Sequence, residues 1–241
     1  MGPRIQSMHT LPSRAFAPAG EACPDRVACQ TAFANSLGEA TARDFPYPHR
    51  LLAEALPLDL AWSLARLPLG PPSSSLLGDG CPTGCDMRPI TWRETQAFAD
   101  CRVLAETFQC SATVALVARA AGIDLRDCRL KITLARAVDG YECPPRTRCG
   151  EARFTLMVAL DADGQRNLGP DIYFESGDWA SQAPWRAGDA LAFAPSERSW
   201  HGFEPRMIRG VRTSLVVDYV PALQAVAADL PFPRSPAGCG V

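Results

Sequence analysis

The chain has 241 residues, of which 47% are hydrophobic and 21% are charged. This composition suffices for one large domain with a substantial core, and it excludes disorder over the whole length. The formal net charge of -2 gives no electrostatic reason to expect nucleic acid or an acidic membrane surface as a partner. A small molecule or another protein is the expected partner on these grounds, and the arginines of the candidate site favour a carboxylate or phosphate ligand. The oligomeric state is left open.

The first 45 residues are rich in Pro, Ala and small polar types and have no sustained hydrophobic period, so residues 1–45 are predicted to form a poorly ordered N-terminal arm. No apolar run is long enough for a signal peptide or a membrane span. The ten cysteines follow no regular spacing, which favours mostly reduced thiols in the cytoplasm.

Residues 46–122 are predicted to be a helical N-terminal section of the same domain. Between His49 and Leu67 leucines recur at three- and four-residue steps around Pro57, which indicates two short amphipathic helices. Turn-forming residues fill 68–85. Thr91 with Glu94 fits a capping box at the start of the next helical region, and Gly122 is its expected end.

After Gly122 the hydrophobic period becomes strand-like, and short apolar segments alternate with Gly, Pro and Asp turns. Residues 123–222 are therefore predicted to form the β core, followed by a C-terminal tail at 223–241. Strands after helices indicate an α+β fold whose sheets form a barrel or jelly roll.

The segment from Trp200 to Tyr219 joins a candidate metal ligand to a candidate carboxylate clamp. A neutral imidazole, here His201, is a common ligand of ferrous iron, and a guanidinium such as Arg212 suits a carboxylate. The chain has three histidines, and the other two, His9 and His49, are remote in sequence. Both are expected outside the barrel, in surface or capping roles.

The order of five segments resembles the 2-oxoglutarate and iron(II)-dependent oxygenases, whose core is a double-stranded β-helix. The segments are Gly140-Tyr141, the apolar strand Phe154–Leu160, the turn Pro184–Asp189, His201-Gly202-Phe203 and Gly210–Ser214. The resemblance implies 2-oxoglutarate and Fe(II) as cofactors. It also implies that His201 is the distal iron ligand, and that Arg212, helped by the Ser214 hydroxyl, holds the far carboxylate of 2-oxoglutarate.

Where that family has Pro-His-x-Asp, this chain has Pro145-Arg146-Thr147-Arg148. A guanidinium offers no lone pair to a metal, so Arg146 and Arg148 cannot replace a histidine and a carboxylate. Two alternatives follow for this pair. Either both guanidiniums face His201 and Arg212 as an anion pocket, or they turn outward and pair with Glu142, Glu151 or Asp171.

Replacement ligands are a further possibility. Glu142, Cys143, Cys149 or Glu151 could join His201 around a metal, and Cys81 with Cys85, Cys143 and Cys149 could supply four thiolates to zinc. Two hypotheses for function remain. The first is a non-catalytic pseudoenzyme that binds a small molecule or an anion at a degenerate metal site. The alternative is an active dioxygenase that hydroxylates a small molecule with atypical iron ligands.

Overall fold

A computed structural model describes residues 26–68, 84–161 and 165–232 of the chain. The helices are α1 Arg26–Glu39, α2 Leu58–Ala65, α3 Trp92–Ala97, α4 Ala99–Gln109 and α5 Ser111–Ala121, followed by short 3-10 helices at Ala222–Gln224 and Ala227–Asp229. The strands are β1 Thr41–Arg43, β2 His49–Leu52, β3 Cys85–Pro89, β4 Cys128–Ala137, β5 Cys143–Arg146, β6 Phe154–Asp161, β7 Asp171–Tyr173, β8 Trp179–Gln182, β9 Ala190–Phe193, β10 His201–Phe203 and β11 Arg212–Pro221.

In the described ranges these strands form two antiparallel sheets. The larger sheet has seven strands in the order β1-β2-β9-β6-β11-β4-β3, and the smaller has four in the order β5-β10-β7-β8. From β4 to β11 the chain alternates between the large and the small sheet, except that β7 and β8 both lie in the small sheet. This is the connectivity of a double-stranded β-helix. The predicted α+β jelly roll is therefore confirmed.

Strand β11 shows how the large sheet separates the helices from the barrel interior. Leu215, Val217 and Tyr219 belong to the hydrophobic core beneath the helices. Because side chains alternate along a strand, Arg212 and Ser214 point to the opposite face, which lines the barrel. The helices thus cover one face of the sheet, and the polar side chains of Arg212 and Ser214 lie on the other.

The predicted poorly ordered arm is wrong for residues 26–43. Helix α1 buries Cys29, Phe33 and Leu37, and the Phe33 ring lies 4.9 Å from the Phe108 ring in an edge-to-face contact. These three apolar residues recur every four positions, so they form one helical face. The surrounding Ala and polar residues hide this period in the sequence. Residues 1–25 lie outside the described ranges.

The predicted pair of helices between residues 49 and 67 is half wrong. Residues His49–Leu52 form strand β2, which pairs with β9, and α2 is the helix that follows. The chain enters the large sheet here because its partner strand, about 140 residues later, offers an open edge. The capping box of Thr91 and Glu94 is confirmed, as is Gly122, whose φ of 66° ends α5.

The part of the predicted C-terminal tail that the structure describes is attached to the domain. Leu230 is buried, and Phe232 packs against the core beneath the helices. Residues 233–241 lie outside the described ranges. No helix in the described ranges is long and apolar enough to cross a membrane.

Candidate functional site

His201 begins the central strand of the small sheet. It is paired with Arg146 of β5 on one side and with Ile172 of β7 on the other. The next residue, Gly202, permits this close pairing, since a Cβ there would lie 2.5 Å from the carbonyl oxygen of Cys143. The His-Gly dipeptide thus has a structural reason: the glycine lets β5 approach, and the histidine faces the barrel.

The His201 imidazole is 4% exposed and is held by a backbone hydrogen bond. Its Nδ1 lies 2.9 Å from the carbonyl oxygen of Ser199. A carbonyl oxygen only accepts, so Nδ1 carries the proton and the Nε2 lone pair remains available. Burial, reinforced by the charges of Arg148 and Arg146, lowers the pKa of His201 to about 4. The ring is therefore neutral at pH 7 and lies 5.0 Å from the Phe193 ring.

Arg146 lies directly across from His201. Residues opposite each other in an antiparallel pair project from the same face, with Cβ atoms about 5 Å apart. Arg146 is half-buried, and its guanidinium forms no hydrogen bond or ion pair with any residue in the described ranges. The position that would carry the first metal ligand thus carries an unpaired cation.

Arg148, in contrast, is neutralised within the protein. Its Nη2 lies 2.9 Å from Asp218 Oδ2, its Nη1 donates to Asp218 Oδ1 at 3.1 Å, and its Nε donates to Glu151 at 3.2 Å. Asp218 also accepts a 2.7 Å hydrogen bond from Thr155. The predicted ion pair with Glu151 is present, but Arg148 does not turn outward, since its side chain is 14% exposed. The main partner, Asp218, is a barrel-facing residue of β11 that sequence reasoning missed.

Arg212 is a further cation in the barrel, and it is 4% exposed. Its Nε donates to the carbonyl oxygen of Leu168 at 2.7 Å, and its Nη1 donates to the Ser214 hydroxyl at 3.3 Å. No carboxylate forms an ion pair with it in the described ranges. Burial lowers the pKa of Arg212 from its usual range, although a guanidinium keeps its proton at neutral pH.

Aromatic rings surround the Arg212 guanidinium. Its central carbon lies 4.3 Å from the centre of the Trp185 ring, 4.9 Å from that of Phe203 and 5.9 Å from that of Tyr141. Such contacts favour a desolvated cation. Burial raises the pKa of Tyr141 above its usual range, so its phenol stays protonated. These three rings, the aromatic cage of Trp185, Phe203 and Tyr141, shield the guanidinium from solvent but supply no negative charge.

The side chains around His201 do not fit an iron(II) site. Across the described ranges, no three His, Cys, Asp or Glu side chains are grouped so as to hold a metal ion. Glu142 and Cys149 are exposed, Glu151 is paired with Arg148, and Cys143 packs beside the aromatic cage. The zinc alternative required Cys81, which lies outside the described ranges.

His49 was expected outside the barrel, but it lies on the large sheet. It is paired with Phe193 of β9 and therefore shares its face. His49 is 5% exposed, and its Nδ1 lies 2.8 Å from the carbonyl oxygen of Tyr47. Burial lowers its pKa. Sequence distance hid this placement, because β2 joins the sheet beside a strand from the far end of the core. His9 lies outside the described ranges.

The solved structures that align with most of the chain include two hydroxylases. One is a prolyl-4-hydroxylase of Pseudomonas putida, with a TM-score of 0.53, 18% identity and coverage of 79% of this chain and 98% of that chain. The other is a prolyl hydroxylase from Trichoplax adhaerens in complex with a peptide of the hypoxia-inducible factor oxygen degradation domain. It has a TM-score of 0.52, 12% identity and coverage of 83% and 92%.

At these identities the comparison concerns the fold. No family model matches the sequence, and no curated protein sequence matches it. The strand order and the two aligned hydroxylases agree with the resemblance drawn from the motif segments. The chain therefore has the double-stranded β-helix fold of the 2-oxoglutarate/Fe(II)-dependent oxygenases.

Proposed function

We propose that this protein is a non-catalytic, carboxylate-binding pseudoenzyme built on the oxygenase fold. The observation that carries the proposal is Arg212, a cation that is 4% exposed and has no acidic partner in the described ranges. An unpaired buried charge costs several kcal/mol. Natural proteins therefore bury such a group where a ligand supplies the opposite charge.

The arrangement around Arg212 suits a carboxylate ligand. The Leu168 carbonyl holds Nε and so fixes the plane of the guanidinium, and the Ser214 hydroxyl lies beside Nη1. A carboxylate can accept hydrogen bonds from the guanidinium and from this hydroxyl together. Trp185, Phe203 and Tyr141 keep water out, which strengthens the charge pair. 2-Oxoglutarate is the first ligand to test, because the fold implies it and it presents a terminal carboxylate.

The same residues argue against iron chemistry. Bound iron(II) would give this fold its oxidising step, and it needs ligands that donate electron pairs. His201 offers one through Nε2, but its cross-strand neighbour is Arg146. A positive charge about 5 Å from a dication would add repulsion of about 7 kcal/mol at an effective dielectric near 20. We therefore assign His201 no catalytic step.

The competing function is an active dioxygenase with atypical iron ligands, and the free Nε2 of His201 is the observation in its favour. Anaerobic addition of iron(II) and 2-oxoglutarate separates the two functions. We expect calorimetry to show 2-oxoglutarate binding in the presence of a chelator, with no metal-to-ligand charge-transfer band after iron addition. Stoichiometric iron retention with such a band would overturn the pseudoenzyme proposal.

We also propose that the protein works in the cytoplasm on a small-molecule ligand, without nucleic acid or membrane partners. The thiols of Cys29, Cys101 and Cys128 are free, which fits a reducing compartment. Fractionation of cells that produce the protein, followed by thiol labelling before and after reduction, tests this placement. Label incorporation that requires reduction would contradict it.

A further inference from the structure

A cavity of about 480 Å³ lies between helix α2, the end of β6 and the turn that precedes β9. Its volume falls in the range of about 300–1,000 Å³ that is typical of small-molecule sites. Arg212, His201 and Arg146 do not line it, and Trp185 is the residue that it shares with the aromatic cage. The cavity is therefore distinct from the site around Arg212.

One wall of the cavity is apolar. Leu58 and Trp62 lie four residues apart on α2, so they share one helix face, and they are 40% and 45% exposed. Leu60 and Leu64, on the other side of the helix, are buried in the core. An exposed indole beside a cavity offers a flat surface on which a ligand ring can stack.

A second wall is a strained turn. Glu54 has a φ of 54° and is the one non-glycine residue with a positive φ in the described ranges. The turn is held against Gly188, whose carbonyl oxygen accepts a 2.7 Å hydrogen bond from the Ala55 N–H. Backbone strain of this kind persists where the surroundings hold it, and it concentrates at ligand sites.

Charged groups of both signs line the cavity. Arg166 and Arg186 are exposed, and neither guanidinium forms a hydrogen bond or an ion pair within the described ranges. The exposed Glu54 carboxylate has no such partner there either. Asp189, in contrast, is 8% exposed and accepts a 3.2 Å hydrogen bond from the Arg186 backbone N–H. In addition, Trp185 Nε1 is buried without an acceptor in the described ranges, whereas buried donors in proteins are almost always paired.

From this lining we infer that the cavity binds a free amino acid with an aromatic side chain. The ring stacks on the apolar wall of Leu58 and Trp62, the carboxylate binds Arg166 and Arg186, and the ammonium group binds Glu54. An amino acid presents both charges and an apolar group on one small molecule, which matches the three parts of the lining. The inference goes beyond the proposed function, since the cavity shares no charged residue with the Arg212 site.

Calorimetric titrations with L-phenylalanine and two analogues test this inference. 3-Phenylpropionate lacks the ammonium group, and 2-phenylethylamine lacks the carboxylate. Each analogue loses a hydrogen-bonded charge pair, so we expect both to bind about 10-fold or more weakly than L-phenylalanine. Equal binding of the three, or no binding of L-phenylalanine at about 10 mM, would overturn the inference.

Variants assign the charged contacts. Glu54→Gln should weaken L-phenylalanine and leave 3-phenylpropionate unchanged, whereas Arg166→Gln and Arg186→Gln should each weaken both acids and leave 2-phenylethylamine unchanged. Arg93→Gln is the matched control, because Arg93 is exposed on α3 and outside the cavity. Wild-type affinities in all three cavity variants would contradict the assigned contacts.

The ring contact and the location have their own controls. Trp62→Leu should weaken all three ligands, and Trp92→Leu, which removes a 50% exposed indole outside the cavity, should weaken none. Saturating 2-oxoglutarate and Arg212→Lys should both leave L-phenylalanine binding unchanged. Displacement by 2-oxoglutarate, or loss in Arg212→Lys, would place the amino acid in the barrel and overturn this inference while the proposed function stands. Failure of 2-oxoglutarate to bind would refute the proposed function and leave the cavity site unaffected.

Discussion

The contrast between Arg148 and Arg146 gives a sharp stability prediction. Arg148→Met removes the bidentate partner of Asp218, whose side chain is 2% exposed, and leaves its carboxylate with the Thr155 hydroxyl. Breaking a buried pair in this way costs about 3–5 kcal/mol. Because the Arg148 side chain is 14% exposed and water can replace part of the contact, we expect about 3 kcal/mol. Arg146→Met, the same exchange two residues away, should change stability by less than about 1 kcal/mol.

Thermal unfolding followed by circular dichroism is the assay. For a domain of this size about 3 kcal/mol corresponds to a Tm lower by about 6–12 °C. The double variant Arg148→Met with Asp218→Asn should recover much of the loss, because the uncompensated carboxylate is gone. Equal losses for Arg148→Met and Arg146→Met, or no recovery in the double variant, would refute the assignment of Arg148 as the internal ion pair.

Three further outcomes are expected. Gly202→Ala should lower the Tm and weaken 2-oxoglutarate binding in calorimetry, because the added Cβ would lie 2.5 Å from the Cys143 carbonyl oxygen. An unchanged Tm would contradict this close approach of β5 and β10. Phe33→Ala should lower the free energy of unfolding in urea by about 3–5 kcal/mol, because Phe33 is fully buried against Phe108. A loss below about 1 kcal/mol would mean that α1 does not belong to the core. As pH falls from 6.5, the ordinary pKa of His, to about 4, the folded-state pKa of His201, the free energy of unfolding should decrease by up to about 3 kcal/mol, because the unfolded state binds the proton first. His201→Gln should flatten this part of the stability-versus-pH profile. An unaltered profile would contradict the buried neutral ring.

The barrel was predictable because its determinants are local. The alternation of polar and apolar residues along β11, and the order of the segments around His201 and Arg212, are visible in the sequence. The fold then fixes which strands are neighbours. Gly202 is informative for the same reason, since a glycine after the inward histidine matches the need for close strand approach.

Other features depend on pairings that no local pattern contains. Asp218 meets Arg148 across 70 residues, and only the register of β11 shows that it faces the barrel. His49 enters the large sheet beside Phe193, far along the chain. Helix α1 was missed because Phe33 and its apolar neighbours lie among small and polar residues. In each case tertiary contact decides the outcome over local composition.

The distinction between the two arginines illustrates the limit most clearly. Arg146 and Arg148 have the same chemistry and the same sequence neighbourhood, so residue reasoning left an anion pocket and outward pairing open for both. The strand register places Arg146 opposite His201, and the geometry of Asp218 takes Arg148. Arg146 thus lies opposite His201, as the first alternative required, whereas Arg148 is ion-paired, as the second required, but mainly with a carboxylate that faces the barrel.

The most direct test of the account is a calorimetric titration of the protein with 2-oxoglutarate in a chelating buffer. We expect saturable binding at one site per chain without any metal, weakened about 10-fold or more in Arg212→Lys. Binding that appears only after iron(II) is supplied would contradict the central claim, because it would mean that the metal, and not the buried guanidinium, creates the site.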